Sequence, residues 1–191
     1  MSLLQSDEQQ QEAPRPLRLF FQDESRLGLR LPMPARLTGC GVKPIQPCAP
    51  RYEYYWLYAA VEPHTGKSCW GELPHLDTVC FQAFLEHLSE AHPHSLNLLV
   101  VDNAPAHTAS TLELPDNILL LHLPPYSPEL NPVERLWQHL KGKIDVFDHH
   151  VRSSLTALRD HVADIIQRYT PEQLRSLTGY GYILNAVNEL G

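Results

Sequence analysis

The 191-residue chain is long enough for one compact domain with a sizeable core, because 43% of its residues are hydrophobic. It contains no run of about 18 apolar residues, so no membrane-spanning helix is predicted. No signal-peptide pattern precedes the first apolar stretch. Its formal net charge of −7 argues against a protein that coats nucleic acid through charge alone. The sequence predicts a cytoplasmic protein with no membrane partner, in which residues 1–16 are a disordered lead-in.

Charge is unevenly distributed along the chain. Between Lys67 and Arg135 there is no Lys or Arg, whereas nine Asp and Glu residues occur there. The reverse holds between Glu24 and Glu53, where every charged residue is basic: Arg26, Arg30, Arg36, Lys43 and Arg51. The acidic segment is suited to binding cations and the basic one to binding anions. For the basic segment, a solvated loop without a specific role is the alternative.

The first half of the chain predicts a strand, a hairpin and a helix. The strand is "LRLFFQDES", from Leu17. A long loop rich in Pro and Gly follows, with a short strand possible at its start. Two β-prone stretches, "YEYYWLYAAV" and "KSCWGEL", are joined by the turn "EPHTG" and predict a hairpin. Apolar residues at helical spacing from Val79 then predict a helix, with Asp77 as its N-cap.

The second half predicts two further strands and several helices. The apolar runs "SLNLLVVDN" and "ILLLHLPP" predict strands buried on both faces, with a short helix between them. A helix is predicted from Pro132, and two or three more fill the remainder, one opened by a capping box from Thr170 to Gln173. This order predicts a mixed α/β layered domain over residues 17–150. Residues 151–191 are predicted to form a helical extension that packs on it.

Two aspartates occupy equivalent positions at the predicted ends of strands. Because strand side chains alternate between faces, Asp23 is in phase with Phe21, Glu24 points the other way, and Asp102 is in phase with Val100. If the strands are parallel neighbours, their ends lie about 4.8 Å apart. Two aspartates so close repel each other unless a cation lies between them. The alternative is that each aspartate merely ends a strand, since Asp is common in turns.

The block "HLPPYSPELNPVERLWQHLK" offers two candidates for a third carboxylate. Glu134 lies in the first turn of the predicted helix, at the margin of the buried face that contains Trp137, whereas Glu129 lies in the preceding loop. The rival interpretation is a capping box, in which Asn131 is the N-cap and Glu134 bonds back to it. We select Glu134 as the third acid and treat Glu129 either as a loop charge or as a charge that supports the ligands from behind. A pair of divalent ions about 3.5–4 Å apart fits such a set of carboxylates.

Three motifs in order, "FFQDES", "LLVVDNAPAH" and "LPPYSPELNPVERLWQHLK", resemble the catalytic domain of DDE transposases. The resemblance covers about residues 17–143 and is nearest to the bacterial insertion-sequence branch of the Tc/mariner superfamily. It implies a ribonuclease-H-like fold, a mixed five-stranded sheet flanked by helices. It also implies an acidic triad at Asp23, Asp102 and Glu134 that binds two magnesium or manganese ions. The implied reactions are phosphodiester hydrolysis at transposon ends and joining of 3′-hydroxyl ends to target DNA, typically at TA.

The same resemblance suggests roles for other residues. Asn103, His107 and Asn131 are expected to support the triad, and His107 could ligate, donate or shuttle a proton. Tyr126 and Ser127 are expected to contact the DNA backbone, although turn packing would also explain them. The basic loop corresponds to the place where mariner relatives carry a clamp used in pairing and DNA contact. The active complex is expected to be a homodimer that associates with the nucleoid when it is on DNA.

The chain departs from the family pattern in two ways. Relatives carry N-terminal helix-turn-helix modules, whereas this chain starts almost at the first predicted strand, so we expect a separately encoded or missing helix-turn-helix half. Between Asp102 and Glu134 lie 31 residues, slightly fewer than is usual in mariner relatives. Two alternatives to an active transposase remain open. One is a catalytically silent remnant or assembly module without its DNA-binding half, and the other is a plain ribonuclease-H-type hydrolase.

Overall fold

The computed structural model describes residues 15–30, 40–41, 52–144, 148, 150–151 and 153–190. The predicted lead-in up to residue 14 lies outside these residues, as do Arg36, Lys43 and Arg51. The described elements, in chain order, are β1 (Leu17–Gly28), β2 (Tyr54–Val61), β3 (Ser68–Leu73), α1 (Thr78–Ala91), β4 (Leu96–Val101), β5 (Ile118–His122), α2 (Val133–Lys143), α3 (Leu155–Gln167), α4 (Pro171–Thr178) and α5 (Gly181–Leu190).

The five strands form one mixed sheet in the order β3-β2-β1-β4-β5. The predicted hairpin is present, because β2 pairs antiparallel with β3, and β2 also pairs antiparallel with β1. β1, β4 and β5 run parallel to one another. The predicted fold class, a mixed five-stranded sheet flanked by helices, is confirmed. Parallel pairing of the first half of β1 with β4 brings the middle of β1 and the carboxyl-terminal end of β4 to the same region of the sheet.

Alternating side chains divide the core into two layers. Phe20 and Leu99 point to one face of the sheet and pack with Phe84 of α1. Phe21 and Val100 point to the other face, where α2 and α3 cover the sheet. Each fully buried Leu or Phe side chain contributes about 1.5–3 kcal/mol. The two layers therefore fix the register of β1 against β4, on which the site depends.

Several local predictions are confirmed by the structure. Asp77 caps α1, since its Oδ1 accepts a hydrogen bond of 2.8 Å from the backbone N–H of Cys80. Thr170 and Gln173 form both hydrogen bonds of the predicted capping box at the start of α4. Leu158 of α3 and Leu174 of α4 are buried in the same layer as α2. The division at residue 150 stays a prediction. None of the helices in the described ranges combines the length and apolar character needed to cross a bilayer.

Three sequence predictions were wrong in detail. β1 continues to Gly28 because its second half pairs with β2, so Asp23 lies within the strand opposite Ala59 and not at its end. Among the described strands β5 is at the edge and pairs with β4 alone, and its Leu119 and Leu121 are about half exposed instead of buried on both faces. Residues 102–117 form turns and loops, with no helix between β4 and β5.

Candidate active site

A cleft of about 480 Å³ lies where β4, the segment after β5 and the first turn of α2 meet. Its walls contain all three acids selected from the sequence, Asp23, Asp102 and Glu134. Glu129 is not among its lining residues, which agrees with the choice of Glu134. Other predicted site residues also line the cleft: Asn103, Tyr126, Ser127 and Asn131.

The sheet register explains why the two aspartates share this cleft. Phe21 and Val100 are the last paired residues of the parallel β1–β4 ladder, and each stands two positions before an aspartate. Because side chains alternate, Asp23 and Asp102 leave the sheet on the same face, as the strand phase predicts. Asp23 is half-buried, whereas the side chain of Asp102 is 58% exposed.

Asn131 positions the start of α2, and with it Glu134. Its Nδ2 donates a hydrogen bond of 2.8 Å to the carbonyl oxygen of Gln22, which ties the helix start to the residue before Asp23. Its Oδ1 accepts one of 3.1 Å from the backbone N–H of Val133, the first residue of α2, although the N-cap position itself is occupied by Pro132 and not by Asn131 as predicted. Neither hydrogen bond of the rival capping box is present, because the backbone N–H of Glu134 donates to the backbone carbonyl of Asn131 at 3.2 Å and that of Asn131 donates to the carbonyl of Pro128 at 2.9 Å. The carboxylate of Glu134 is thereby left to line the cleft.

The pKa of Asp23 is raised because its carboxyl group is buried close to other acids. Burial first, then the charges of Glu134 and Glu24, raise the pKa of Asp23 from its ordinary 3.8 to about 7. Trp137 opposes this shift, because its indole Nε1–H donates a 2.9 Å hydrogen bond to Oδ2 of Asp23. Trp137 is buried, as predicted for a core residue, and it additionally holds one oxygen of this carboxylate. A cation in the cleft would relieve the unfavourable charge.

Asp102 is held from the other side by a buried histidine. Nδ1 of His107 lies 2.7 Å from Oδ1 of Asp102, and Nε2 lies 3.0 Å from Oε1 of Glu24. Burial acts to lower the pKa of His107, but the hydrogen bond and charge of Glu24, followed by Asp102, raise it above 6.5. The side chain of His107 is 1% exposed, so it supports Asp102 from behind and does not line the cleft.

The donor set suits magnesium or manganese, since both prefer carboxylate oxygens. In the described ranges, no three His, Cys, Asp or Glu side chains already converge as a ligand group. The three acids line one cleft without forming a closed set, with the pKa of Asp23 raised by the other acids. The residues therefore fit divalent cations by charge and chemistry.

The residues predicted to contact DNA are distributed over two regions. Arg26 lies within β1, so the basic loop begins later than predicted, and its guanidinium lies 5.3 Å from the ring centroid of Tyr54. Arg30 stacks on Tyr52 at 3.3 Å. Tyr126 is fully exposed on the cleft wall and has a left-handed backbone φ of 59°.

Sequence reasoning missed two functional candidates, Glu24 and the hydrogen-bonding role of Trp137. Glu24 was correctly expected to point away from Asp23, but no partner was sought for it. A carboxylate on a buried strand face needs a donor, and the histidine of "DNAPAH" was available. Trp137 stands three residues after Glu134 in α2, and a buried indole N–H normally has an acceptor.

The sequence of residues 18–171 matches the model of a protein family described as "DDE superfamily endonuclease". The chain belongs to this family. The predicted resemblance to the DDE superfamily is thereby confirmed. All three acids of the predicted triad lie within the matched residues 18–171.

Two curated relatives match this DDE-family chain. "Uncharacterized protein y4pE/y4sA" of Sinorhizobium fredii (strain NBRC 101917 / NGR234) is 42% identical over 94 residues, covering 45% of this chain and 64% of the relative. "Insertion element IS630 uncharacterized 39 kDa protein" of Shigella sonnei is 30% identical over 161 residues, covering 80% of this chain and 46% of the relative. The DDE-family chain thus spans about half to two thirds of the length of these relatives.

Solved structures of the Mos1 transposase share the fold. The Mos1 strand transfer complex has a TM-score of 0.63 at 18% identity, covering 85% of this chain and 50% of that chain. The mariner Mos1 paired-end complex with Mn has a TM-score of 0.59 at 16% identity, covering 85% and 52%. At these identities the similarity shows that the DDE-family chain has the ribonuclease-H-like fold of these transposases.

Proposed function

We propose that this chain is the catalytic part of a metal-dependent DNA transposase. It would hydrolyse phosphodiesters at transposon ends and join the resulting 3′-hydroxyl ends to target DNA. The observation that carries the proposal is the single cleft lined by Asp23, Asp102 and Glu134, three acids far apart in the sequence. Membership of the DDE family supports the same reaction class.

Asp23, Asp102 and Glu134 would hold two magnesium or manganese ions. Such ions, when bound, make a water or a 3′-hydroxyl nucleophilic and stabilise the leaving oxygen. The titles of two Mos1 complexes name Mn and Mg, which supports this cofactor class.

The chain's own residues would prepare the cleft for DNA. Trp137 fixes one oxygen of Asp23, and Asn131 fixes the helix that carries Glu134. Asn103 ties the loop after β4 to the segment after β5, because its Nδ2 donates a 2.6 Å hydrogen bond to the carbonyl of Leu123. These contacts hold the cleft walls in place, which favours productive positioning of the scissile phosphate.

The proposed partners follow from the same reasoning. We propose that the active complex is a homodimer, that it acts at TA target sites, and that a helix-turn-helix half reads the transposon ends. A chain with net charge −7 has little general attraction for phosphates, so a separate DNA-reading module would supply affinity. The Mos1 structures, whose titles include a paired-end complex with the left transposon end, support DNA as the substrate.

The function is tested by nicking of a duplex whose sequence is that of the DNA bordering the coding region, with a helix-turn-helix partner supplied. We expect nicks with magnesium or manganese and none with a chelator. Asp102→Ala should remove the activity, and Asp116→Ala, at an exposed acid near β5, should not. Equal nicking by Asp102→Ala would contradict the proposal. Absence of nicking by wild type would favour the assembly module, and cleavage confined to RNA–DNA hybrids would favour the hydrolase.

Tyr126 provides a separate test of the DNA-binding surface. Its ring is completely exposed, and its left-handed φ is a strained backbone conformation of the kind that clusters at ligand-binding sites. Replacing Tyr126 with Ala should weaken binding of a frayed transposon-end duplex by about 1–3 kcal/mol, the usual loss of one base–aromatic stack. Tyr126→Phe should bind like wild type. Fluorescence anisotropy with labelled DNA measures both, and unchanged binding by Tyr126→Ala would assign the residue to turn packing.

A further inference from the structure

We propose that Glu24, acting through His107, is a positioning residue that fixes the carboxylate of Asp102 for cation binding. The inference rests on the proposed function, because it takes Asp102 as a ligand. It adds a fourth acid to the site, on the opposite face of β1 from the cleft.

The contacts form a continuous hydrogen-bonded chain. Oε1 of Glu24 lies 3.0 Å from Nε2 of His107, and Oδ1 of Asp102 lies 2.7 Å from Nδ1 of the same ring. Nε2 of Gln22 donates a second hydrogen bond, of 2.9 Å, to Oε1 of Glu24. Both ring nitrogens of His107 thus face carboxylate oxygens, so the position of the ring is set by Glu24 as well as by Asp102.

The surroundings allow the ring little freedom. Phe81 packs on His107 with ring centroids 4.2 Å apart. The side chains of Glu24 and His107 are 5% and 1% exposed. Asp102, by contrast, has a side chain that is 58% exposed and belongs to the loop after β4. A buried, rigid anchor is therefore joined to an exposed carboxylate that has few other restraints.

Because side chains of β1 alternate between the two faces of the sheet, this one strand carries Asp23 on one face and the partner of His107 on the other. Asp23 points into the cleft, and its neighbour Glu24 points to the α1 side, where His107 lies. Oδ1 of Asp102 accepts from His107 and also from the backbone N–H of Ala104, at 2.9 Å. Because these two hydrogen bonds hold Oδ1, they also fix the plane of the carboxylate, and with it the position of Oδ2. Second-layer carboxylate–histidine pairs of this kind orient ligands in metal sites.

A purely structural role for Glu24 makes a different prediction. Buried carboxylates stabilise a fold only when they are paired, so removal of Glu24 could simply lower stability. Glu62 is the matched control, because it is also nearly buried and is hydrogen-bonded to Arg18 at 3.1 Å, and it is not part of the cleft. If Glu24 positions Asp102, only the Glu24 variant should bind the cation more weakly. If both acids are merely structural, both variants should have a lower melting temperature and the same cation affinity.

The experiment is calorimetric titration of the full chain with Mn²⁺, with thermal unfolding recorded in parallel. Glu24→Met should bind Mn²⁺ about 10-fold more weakly or worse, the usual cost of losing a second-layer partner. Glu62→Met should bind it like wild type. Glu24→Gln keeps an oxygen that can accept from His107 and should restore most of the affinity, which also provides a test if Glu24→Met does not fold.

A double variant checks that the effect passes through the ring. His107→Phe keeps an aromatic ring against Phe81, and adding Glu24→Met to it should cause no further loss of Mn²⁺ affinity. Additive losses would overturn the relay, as would wild-type affinity in folded Glu24→Met. If wild type itself binds no Mn²⁺, the metal-dependent function fails together with this inference. If wild type binds and Glu24→Met binds equally, only the positioning role fails.

Discussion

Glu134→Gln is expected to abolish magnesium-dependent nicking, while Glu129→Gln, five residues earlier, leaves it intact. Glutamine has the shape of glutamate but lacks the charge that holds a divalent cation. Metal-based stabilisation of a phosphoryl transition state is worth several kcal/mol, so we expect a loss of about 10³-fold or more. The rate is measured as nicking of the same border-sequence duplex under single-turnover conditions.

The pair is well matched because both glutamates are exposed and lie in the same block. Glu129 belongs to the short 3₁₀ turn Pro128–Leu130, and Glu134 lies in the first turn of α2. Only Glu134 lines the cleft. Neither variant should lose stability, since neither side chain is buried, and Glu134→Gln should gain some in metal-free buffer because it removes a charge that raises the pKa of Asp23. Equal losses in the two variants, or a loss in Glu129→Gln alone, would mean that the wrong glutamate has been assigned.

The face of the sheet on which each aspartate lies could be predicted because it depends on strand periodicity alone. Asp23 and Asp102 each follow an apolar row in phase, and a two-residue repeat leaves one choice of face. Their register required the pairing of Phe21 with Val100, which no local pattern specifies. The full length of β1 was missed for a similar reason, because its second half exists as a strand through pairing with β2.

Contacts between distant segments were the part that sequence patterns could not provide. The hydrogen bond between Glu24 and His107, which continues to Asp102, joins residues 83 positions apart and depends on the packing of Phe81 of α1 against His107. The exposure of Leu119 could not be predicted either, since the same apolar sequence pattern occurs in central strands and in edge strands. Both outcomes are set by tertiary packing, which overrides local preference.

Asp23→Asn should make the metal-free protein more stable, although the change removes a proposed ligand. Between pH 4 and 7 the folded state keeps a proton on Asp23 that the unfolded chain has released, because the folded pKa is about 7 against an ordinary 3.8. Fewer protons bound in the unfolded state mean that stability falls as pH rises through this window. The asparagine side chain does not titrate, so the variant does not lose this stability. Its free energy of unfolding should equal that of wild type below pH 4 and exceed it most above pH 7.

The size of the advantage is bounded by the shift, about 4 kcal/mol, since one pKa unit corresponds to roughly 1.4 kcal/mol. For a chain of this size each kcal/mol moves the melting temperature by about 2–4 °C. The indole N–H of Trp137 can donate to the amide oxygen of Asn, so the packing around residue 23 should be kept. Thermal unfolding at pH 8 in a chelating buffer measures the gain, with Asp116→Asn as the exposed control.

Adding Mn²⁺ should reverse the order of the two proteins. Wild type gains stability by mass action when a cation binds the folded state, whereas Asp23→Asn has lost a ligand and gains less. Such a reversal in the order of melting temperatures would not arise at a residue with a purely structural role, because its replacement would lower stability both with and without Mn²⁺. An Asp23→Asn protein that is less stable than wild type at pH 8 in chelator would show that Asp23 is well paired in the metal-free state, and the argument that the cleft demands a cation would fail.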